Sequence, residues 1–136
     1  MREITEIIIH CSDSPNGEDI RASDIHDWHT SPPRNWSGNG YHHIICVDGY
    51  IENGRPHYWV GAHAKGHNLS SIGVCLIGRD VFSGEQMYTL RILVRYLMID
   101  YPNAKVIGHN EISNKTCPNF DVQKWYNETF KQENDK

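Results

Sequence analysis

The sequence has no long hydrophobic run and no excess of positive charge. Its N-terminal apolar stretch covers only residues 7–9, far below the ~18 residues of a membrane-spanning helix and too short for a secretory signal. We therefore expect no membrane span and synthesis in a cytoplasm. Lysine and arginine total 13 against 17 acidic residues, for a formal net charge of −4. A chain without a basic stripe is not expected to bind nucleic acid directly.

The chain is also short and contains four cysteines. Its four cysteines could pair in principle, but in a reducing compartment free thiols or metal ligands are the expected state. Cys46 and Cys75 lie inside apolar strand-like runs and are predicted to be small buried side chains. The 136 residues fit one domain, since most domains have roughly 100–150 residues. We expect a monomer formed by residues 1–136, with a polar tail at about 132–136.

The pattern of apolar residues predicts alternating strands and helices. Short β-branched or apolar runs predict strands at 5–11, 41–47, 50–52, 57–60, 71–78 and 105–108. Helices are predicted at 19–30, with Ile20, Ile25 and Trp28 on one side, at 84–100, and from Val122 onward with Asp121 as its cap. The fold class expected from this alternation is α/β, a single domain with a central mixed β-sheet flanked by helices.

Nine histidines in so short a chain are the first indication of chemistry. His109 directly follows an apolar strand, and Cys117 lies eight positions later in a polar, turn-rich segment. Imidazole and thiolate are the ligands that zinc prefers. The spacing by itself is equally compatible with a loop histidine and an unrelated cysteine.

His10 adds a third donor at the end of the first predicted strand. Strand ends in α/β folds are where sites form, so His10, His109 and Cys117 could make a three-ligand zinc site whose fourth position stays open, as in catalytic zinc enzymes. Cys11 is the neighbouring rival for this role. Adjacent strand residues point to opposite faces, so His10 and Cys11 are not expected to bind one metal together.

Several motifs then stand in one order along nearly the whole chain: IIIHCS (7–12), GYHHII (40–45), VGAHAKGHN (60–68), SIGVCLIG (71–78), GHNE (108–111) and CPNFDVQKW (117–125). In these motifs the chain resembles the type 2 N-acetylmuramoyl-L-alanine amidases, the family that also includes the peptidoglycan recognition proteins. Within that family it looks most like the endolysins of T-odd bacteriophages. The resemblance implies an amidase fold of the peptidoglycan-recognition type.

The resemblance also implies roles for individual residues. It places the zinc ligands of one Zn²⁺ per chain on His10, His109 and Cys117, and the catalytic side chains on Tyr41 and Lys115. Non-catalytic relatives typically lack the cysteine ligand, so its presence here disfavours an inactive recognition protein.

Other residues carry weaker expectations. His63 and Lys65 resemble a family segment that lines the substrate groove and are expected to contact the peptide stem. His42 could orient a metal ligand or be structural, and Trp36 could stack on a sugar or anchor its loop.

The function implied by the resemblance is zinc-dependent cleavage of the amide between N-acetylmuramic acid and L-alanine in bacterial peptidoglycan. We expect a phage or prophage endolysin, made in the host cytoplasm without a signal peptide and acting on the wall in the periplasm after release. One alternative is a cytoplasmic amidase that recycles muropeptides. Another is a protein that binds and inhibits a phage or host RNA polymerase, with or without amidase activity.

Overall fold

A computed structural model describes residues 2–36 and 38–131 of the chain; the predicted polar tail at 132–136 lies outside the described residues. The strands are β1 (Glu6–Cys11), β2 (His43–Ile45), β3 (Ile51–Asn53), β4 (Ser71–Leu76) and β5 (Lys105–Gly108). The α-helices are α1 (Ala22–Thr30), α2 (Gly84–Asp100) and α3 (Val122–Tyr126), and α3 continues as a π-helical turn over Asn127–Lys131. Most predicted elements are therefore confirmed, with ends shifted by a few residues.

The five strands form one mixed sheet in the order β3-β2-β4-β1-β5. The pairs β2–β4, β4–β1 and β1–β5 are parallel, and β3 pairs with β2 in the antiparallel direction. The turn between β2 and β3 contains Gly49 at φ +88°, a conformation that glycine adopts without steric cost. The mixed sheet was expected from the sequence.

The inner position of β1, between β4 and β5, explains its composition. Ile7, Ile8 and Ile9 are fully buried. Parallel sheets are covered on both faces, so their inner strands consist of consecutive apolar residues. On one face, Ile7 and Ile9 join a core that includes residues of α2 and α3. On the other face, a smaller core is formed by Ile20, Ile25, Ile44, Cys75 and Ile77. Cys46 and Cys75 are buried, as predicted.

The local sequence also sets where the long helix begins. Ser83 and Gln86 form a capping box at the start of α2: the Ser83 hydroxyl accepts from the Gln86 amide, and the Gln86 side chain accepts from the Ser83 amide. Leu90, Val94 and Leu97 follow at helical spacing and are buried against the sheet. Asp121 caps α3 as predicted, since its carboxylate accepts from the Lys124 amide at 3.0 Å.

Two expectations were wrong. Residues 57–60 form no strand but a turn, in which the Trp59 amide donates to the Pro56 carbonyl at 2.9 Å. Proline has no amide hydrogen to give a ladder, so the aromatic run after it is not paired. In α1, the buried residues are Ile25 and His29 and not Trp28. Trp28 is 43% exposed.

The sheet topology brings two of the predicted site residues together. Parallel pairing sets Ile9 of β1 beside Gly108 of β5, so the next residues, His10 and His109, lie at the same edge of the sheet. Within residues 2–36 and 38–131, no helix combines the length and apolar character needed to cross a bilayer.

Candidate metal centre and active site

His10, His109 and Cys117 converge at the carboxyl ends of β1 and β5. The His10 and His109 ring centroids are 4.5 Å apart. One donor atom from each of the three residues lies within 4.8 Å of the others. His10 is only 2% exposed, whereas His109 and Cys117 are partly accessible. The structure thus brings together the three residues that the sequence analysis selected as metal ligands.

Cys117 reaches this cluster from the loop that follows β5. The backbone amide of Cys11 donates to the Cys117 sulfur at 3.0 Å, which holds the loop against the end of β1. The thiol of Cys11 is not part of the three-donor cluster, in agreement with its expected exclusion. Interaction between the two thiols raises the pKa of Cys117 and lowers that of Cys11 to about 7. A bound cation would deprotonate a coordinating thiol.

The electrostatics of the cluster favour neutral imidazoles. Burial, followed by His63, His109 and Lys115, lowers the pKa of His10 well below its usual 6.5. The pKa of His109 is lowered by burial first and then by Lys115. A neutral ring offers a lone pair, so both histidines are in the form that a metal requires at neutral pH.

The predicted catalytic side chains border the same place. The Tyr41 ring centroid lies 5.2 Å from that of His10, and burial raises the pKa of its phenol well above 10. Lys115 is exposed on the loop before Cys117, and its charge is near enough to depress the pKa of both histidines. All five residues line one open cleft of about 1190 Å³.

The two predicted substrate residues differ in their surroundings. Lys65 is exposed on the cleft wall. His63 also lines the cleft, but both of its ring nitrogens have protein partners: Nδ1 contacts His10 Nε2 at 2.8 Å, and Nε2 contacts Ser71 Oγ at 3.2 Å. Contact of Lys65 and His63 with substrate stays a prediction.

A second wall of the cleft is formed by His29, Arg34 and Trp36. His29 is buried below it, where its Nδ1 accepts from the Gly40 amide at 2.8 Å. Its ring meets Trp36 edge-on at 4.6 Å, and Arg34 lies over Trp36 at 5.7 Å. Trp36 therefore anchors its loop on α1 while lining the cleft. The four-residue step from Ile25 to His29 was the available signal for a buried histidine.

His42 is structural in this arrangement. It is fully buried, its Nδ1 accepts from the Gly73 amide at 3.0 Å, and its Nε2 lies 2.9 Å from the Trp59 carbonyl. Within the described part of the chain, it makes no hydrogen bond to His10, His109 or Cys117. Its one ring contact toward the site is with His63, at 5.8 Å.

The donor set fits zinc. Imidazole nitrogen and thiolate sulfur are ligands that zinc prefers, and catalytic zinc sites use three protein donors. In the described part of the chain, Nδ1 of the buried His10 has no hydrogen-bond partner, and the His109 ring nitrogens have none either. Buried polar nitrogens are normally satisfied, so a metal ion would supply the missing partner.

Comparison with known proteins yields a family match across most of the chain. The family model described as N-acetylmuramoyl-L-alanine amidase matches residues 1–120. The endolysin of Escherichia phage T7 is 40% identical over 134 residues, which covers 92% of this chain and 87% of the relative. The chain is thus similar to this relative over nearly its whole length.

Solved structures give the same result for the fold. The N-acetylmuramoyl-L-alanine amidase LysC from Clostridium intestinale URNW superposes with a TM-score of 0.83 at 31% identity, covering 93% of this chain and 85% of that one. Wild-type Drosophila PGRP-LB superposes with a TM-score of 0.81 at 25% identity, covering 93% and 81%. The expected amidase and peptidoglycan-recognition fold is therefore confirmed.

Proposed function

This chain belongs to the N-acetylmuramoyl-L-alanine amidase family, and from that premise we propose that it cleaves the amide between N-acetylmuramic acid and L-alanine in bacterial peptidoglycan with one zinc ion per chain. The observation that carries the zinc dependence is the convergence of His10, His109 and Cys117 within 4.8 Å on an open cleft. Three protein donors leave a coordination position for reacting groups, as catalytic zinc requires.

The three donors also set the charge of the centre. Two neutral histidines and one thiolate leave a bound Zn²⁺ with a net charge of about +1. Zinc held in this way supplies a Lewis acid and lowers the pKa of water toward ~7. His10, deeply buried, gives the centre a rigid side, while the partly accessible His109 and Cys117 face the cleft.

Tyr41 and Lys115 contribute the remaining polar chemistry. Since burial raises the pKa of Tyr41, its phenol keeps its proton at neutral pH and acts as a hydrogen-bond donor that orients the attacking water or the scissile carbonyl. The Lys115 ammonium brings positive charge to the oxygen on which negative charge develops as the amide is attacked. One such donor can be worth roughly 3–4 kcal/mol.

The similarity to the endolysin of phage T7 supports a role in host lysis. In that role the protein is made in the host cytoplasm and acts on the wall after release. A cytoplasmic muropeptide-recycling amidase would use the same residues on a soluble substrate. Binding to a phage or host RNA polymerase also stays a prediction, which a pull-down with the native protein would test.

Analysis of reaction products tests the proposed activity. Purified peptidoglycan digested with the protein should release new L-alanine amino termini and no new reducing sugar ends, as measured by mass spectrometry of the muropeptides. New reducing ends without free alanine would identify a glycosidase. Metal analysis of the same preparation should give about one zinc per chain, and full activity in a metal-free preparation would refute the zinc mechanism.

A further inference from the structure

A short chain of hydrogen bonds runs from the sheet to the metal centre through His63. His63 Nδ1 lies 2.8 Å from His10 Nε2, and His63 Nε2 lies 3.2 Å from the Ser71 hydroxyl. The two rings meet edge to face, with centroids 4.9 Å apart and planes at 85°. Ser71 is fully buried at the start of β4. The chain Ser71–His63–His10 is therefore shielded from solvent at its inner end.

The fold holds His63 in place from two sides. The backbone amides of His63 and Ala64 both donate to the Asn68 side-chain oxygen at 2.9 Å, which sets the path of the loop. On β4, a Cβ added to Gly73 would lie 2.7 Å from the His63 ring, well inside van der Waals contact. The absence of a side chain at Gly73 therefore makes the room that the ring occupies.

The hydrogen-bond chain permits one proton arrangement when His10 binds a metal. Nε2 of His10 is engaged with His63, so Nδ1 is the nitrogen left to donate a lone pair. His10 then carries its proton on Nε2 and donates to His63 Nδ1, which must be unprotonated. His63 in turn carries its proton on Nε2 and donates to the Ser71 hydroxyl. In neutral imidazole one nitrogen donates and the other accepts, so each ring is restricted to one tautomer.

We propose that His63 is a positioning residue for the metal centre: it fixes the tautomer and the ring orientation of His10, so that Nδ1 is presented to zinc, and Ser71 anchors His63 in turn. This inference rests on the zinc site of the proposed function. It differs from direct contact of His63 with the peptide stem, because both of its ring nitrogens are committed within the protein. Partners of this kind typically change metal affinity by ~10–100-fold.

Zinc affinity, measured by competition with a chromophoric chelator, is the first test. We expect His63→Ala to bind zinc ~10–100-fold more weakly than the wild type. His63→Asn should recover much of that loss, since its amide oxygen can accept from His10 Nε2. Ser71→Ala should lie between His63→Ala and the wild type. His57→Ala is the matched control, because the His57 ring nitrogens bond to His43 and Tyr101 and not to His10 or His63, and its zinc affinity should be unchanged.

The tautomer of His10 in the zinc-loaded wild type gives a second readout that needs no variant. Long-range ¹H–¹⁵N correlation spectra should show the His10 proton on Nε2 and the metal on Nδ1, and His63 protonated on Nε2. The opposite tautomer of His10 would overturn the inference, as would a folded His63→Ala whose zinc affinity lies within about twofold of wild type. If His63→Ala does not fold, the zinc affinity of Ser71→Ala and the His10 tautomer in the wild-type spectra test the inference instead.

The outcomes separate this inference from the proposed function. A wild type that binds no zinc overturns both. A wild type that binds zinc and cleaves peptidoglycan, together with unchanged affinity in His63→Ala and Ser71→Ala, overturns only the role of His63.

Discussion

Two groups of histidines lie a short distance apart in this protein, and only one of them is arranged to bind a metal. The site cluster consists of His10, His109 and Cys117 at the carboxyl ends of β1 and β5. The β2 cluster consists of His42, His43 and His57, beside β2 and the turn that follows Pro56. Both groups are rich in imidazole, so residue type alone does not distinguish them.

The difference lies in how the ring nitrogens are used. In the β2 cluster, His43 contacts the Asn53 oxygen at 2.9 Å and the His57 ring at 2.6 Å, and His57 contacts the Tyr101 hydroxyl at 2.8 Å. His42 is engaged through both of its nitrogens as well. Every ring nitrogen of the β2 cluster thus has a partner within the protein.

In the site cluster, by contrast, Nδ1 of His10 and both ring nitrogens of His109 lack a hydrogen-bond partner among the described residues. One ring nitrogen of each histidine and the Cys117 sulfur lie within 4.8 Å of one another on an open cleft. Ring nitrogens without a protein partner, rather than a high histidine count, therefore distinguish the candidate metal centre.

The largest effect is expected from removing the sulfur of the site cluster. Cys117→Ser should lower zinc content from about one per chain to near zero at equilibrium, because the thiolate supplies both a preferred ligand and the only negative charge of the donor set. Amidase activity should fall with it. Metal analysis after dialysis measures this, with Cys46→Ser as control, since Cys46 is buried outside the cluster. Full zinc retention in Cys117→Ser would remove Cys117 from the centre.

Lys115→Ala should separate metal binding from turnover. The variant keeps its zinc, because Lys115 is not one of the converging donors, but kcat should fall ~10²–10³-fold through loss of one charge that stabilises the oxyanion. Steady-state kinetics on a soluble muropeptide measure it. Lys105→Ala at the opposite end of β5 removes the same charge without touching the cleft and should have wild-type kcat. A Lys115→Ala variant with normal turnover would exclude the residue from the mechanism.

Substitutions in the β2 cluster should change the free energy of unfolding rather than the zinc content. Burial is the main cause that lowers the pKa of His42 to about 4, against ~6.5 in an unfolded chain. Between these values the unfolded state binds the proton that the folded state does not. The contribution of neutral His42 to the free energy of unfolding is therefore complete above pH 6.5 and is lost as the pH falls toward 4. For the fully buried His42 it is on the order of 3 kcal/mol.

Replacement of His42 tests whether stability falls on acidification as predicted. Urea unfolding of the zinc-free proteins at pH 7.5, 6 and 5 should show a smaller loss of stability on acidification for His42→Asn than for wild type. The variant should have lower stability at pH 7.5 and an unchanged zinc content. Equal pH slopes would contradict the assigned pKa, and a loss of zinc would mean that the two clusters are not independent.

The smallest effect is expected at Lys65, on the cleft wall. If Lys65 contacts an anionic group of the peptide stem, Lys65→Ala should raise KM about 2–5-fold with little change in kcat, because one exposed ion pair contributes ~0.2–1 kcal/mol. Comparison of KM for muropeptides with free and amidated stem carboxylates provides the control. The same KM for wild type and variant would place Lys65 outside the substrate contacts.

Much of the fold was predictable because local sequence signals agreed with it. The apolar run of residues 7–9 predicted the buried strand β1, apolar residues at helical spacing predicted α2, and Asp121 predicted the start of α3. The strand at 57–60 was wrong because its aromatic residues follow Pro56 and stay exposed, with Tyr58 at 75%. Propensity alone does not reveal whether a strand has a neighbour to pair with.

The sequence by itself predicted the α/β class and, through ordered motifs, a list of candidate site residues: His10, Tyr41, His109, Lys115 and Cys117. Only the tertiary structure decided which ring nitrogens remain free. That property depends on contacts between residues far apart in the chain, such as His10 with His63 and His43 with His57. Hydrogen bonds between side chains far apart in the chain follow no sequence period. The pairing of the β2 histidines and the contact of His63 with His10 could therefore be seen only in the folded structure.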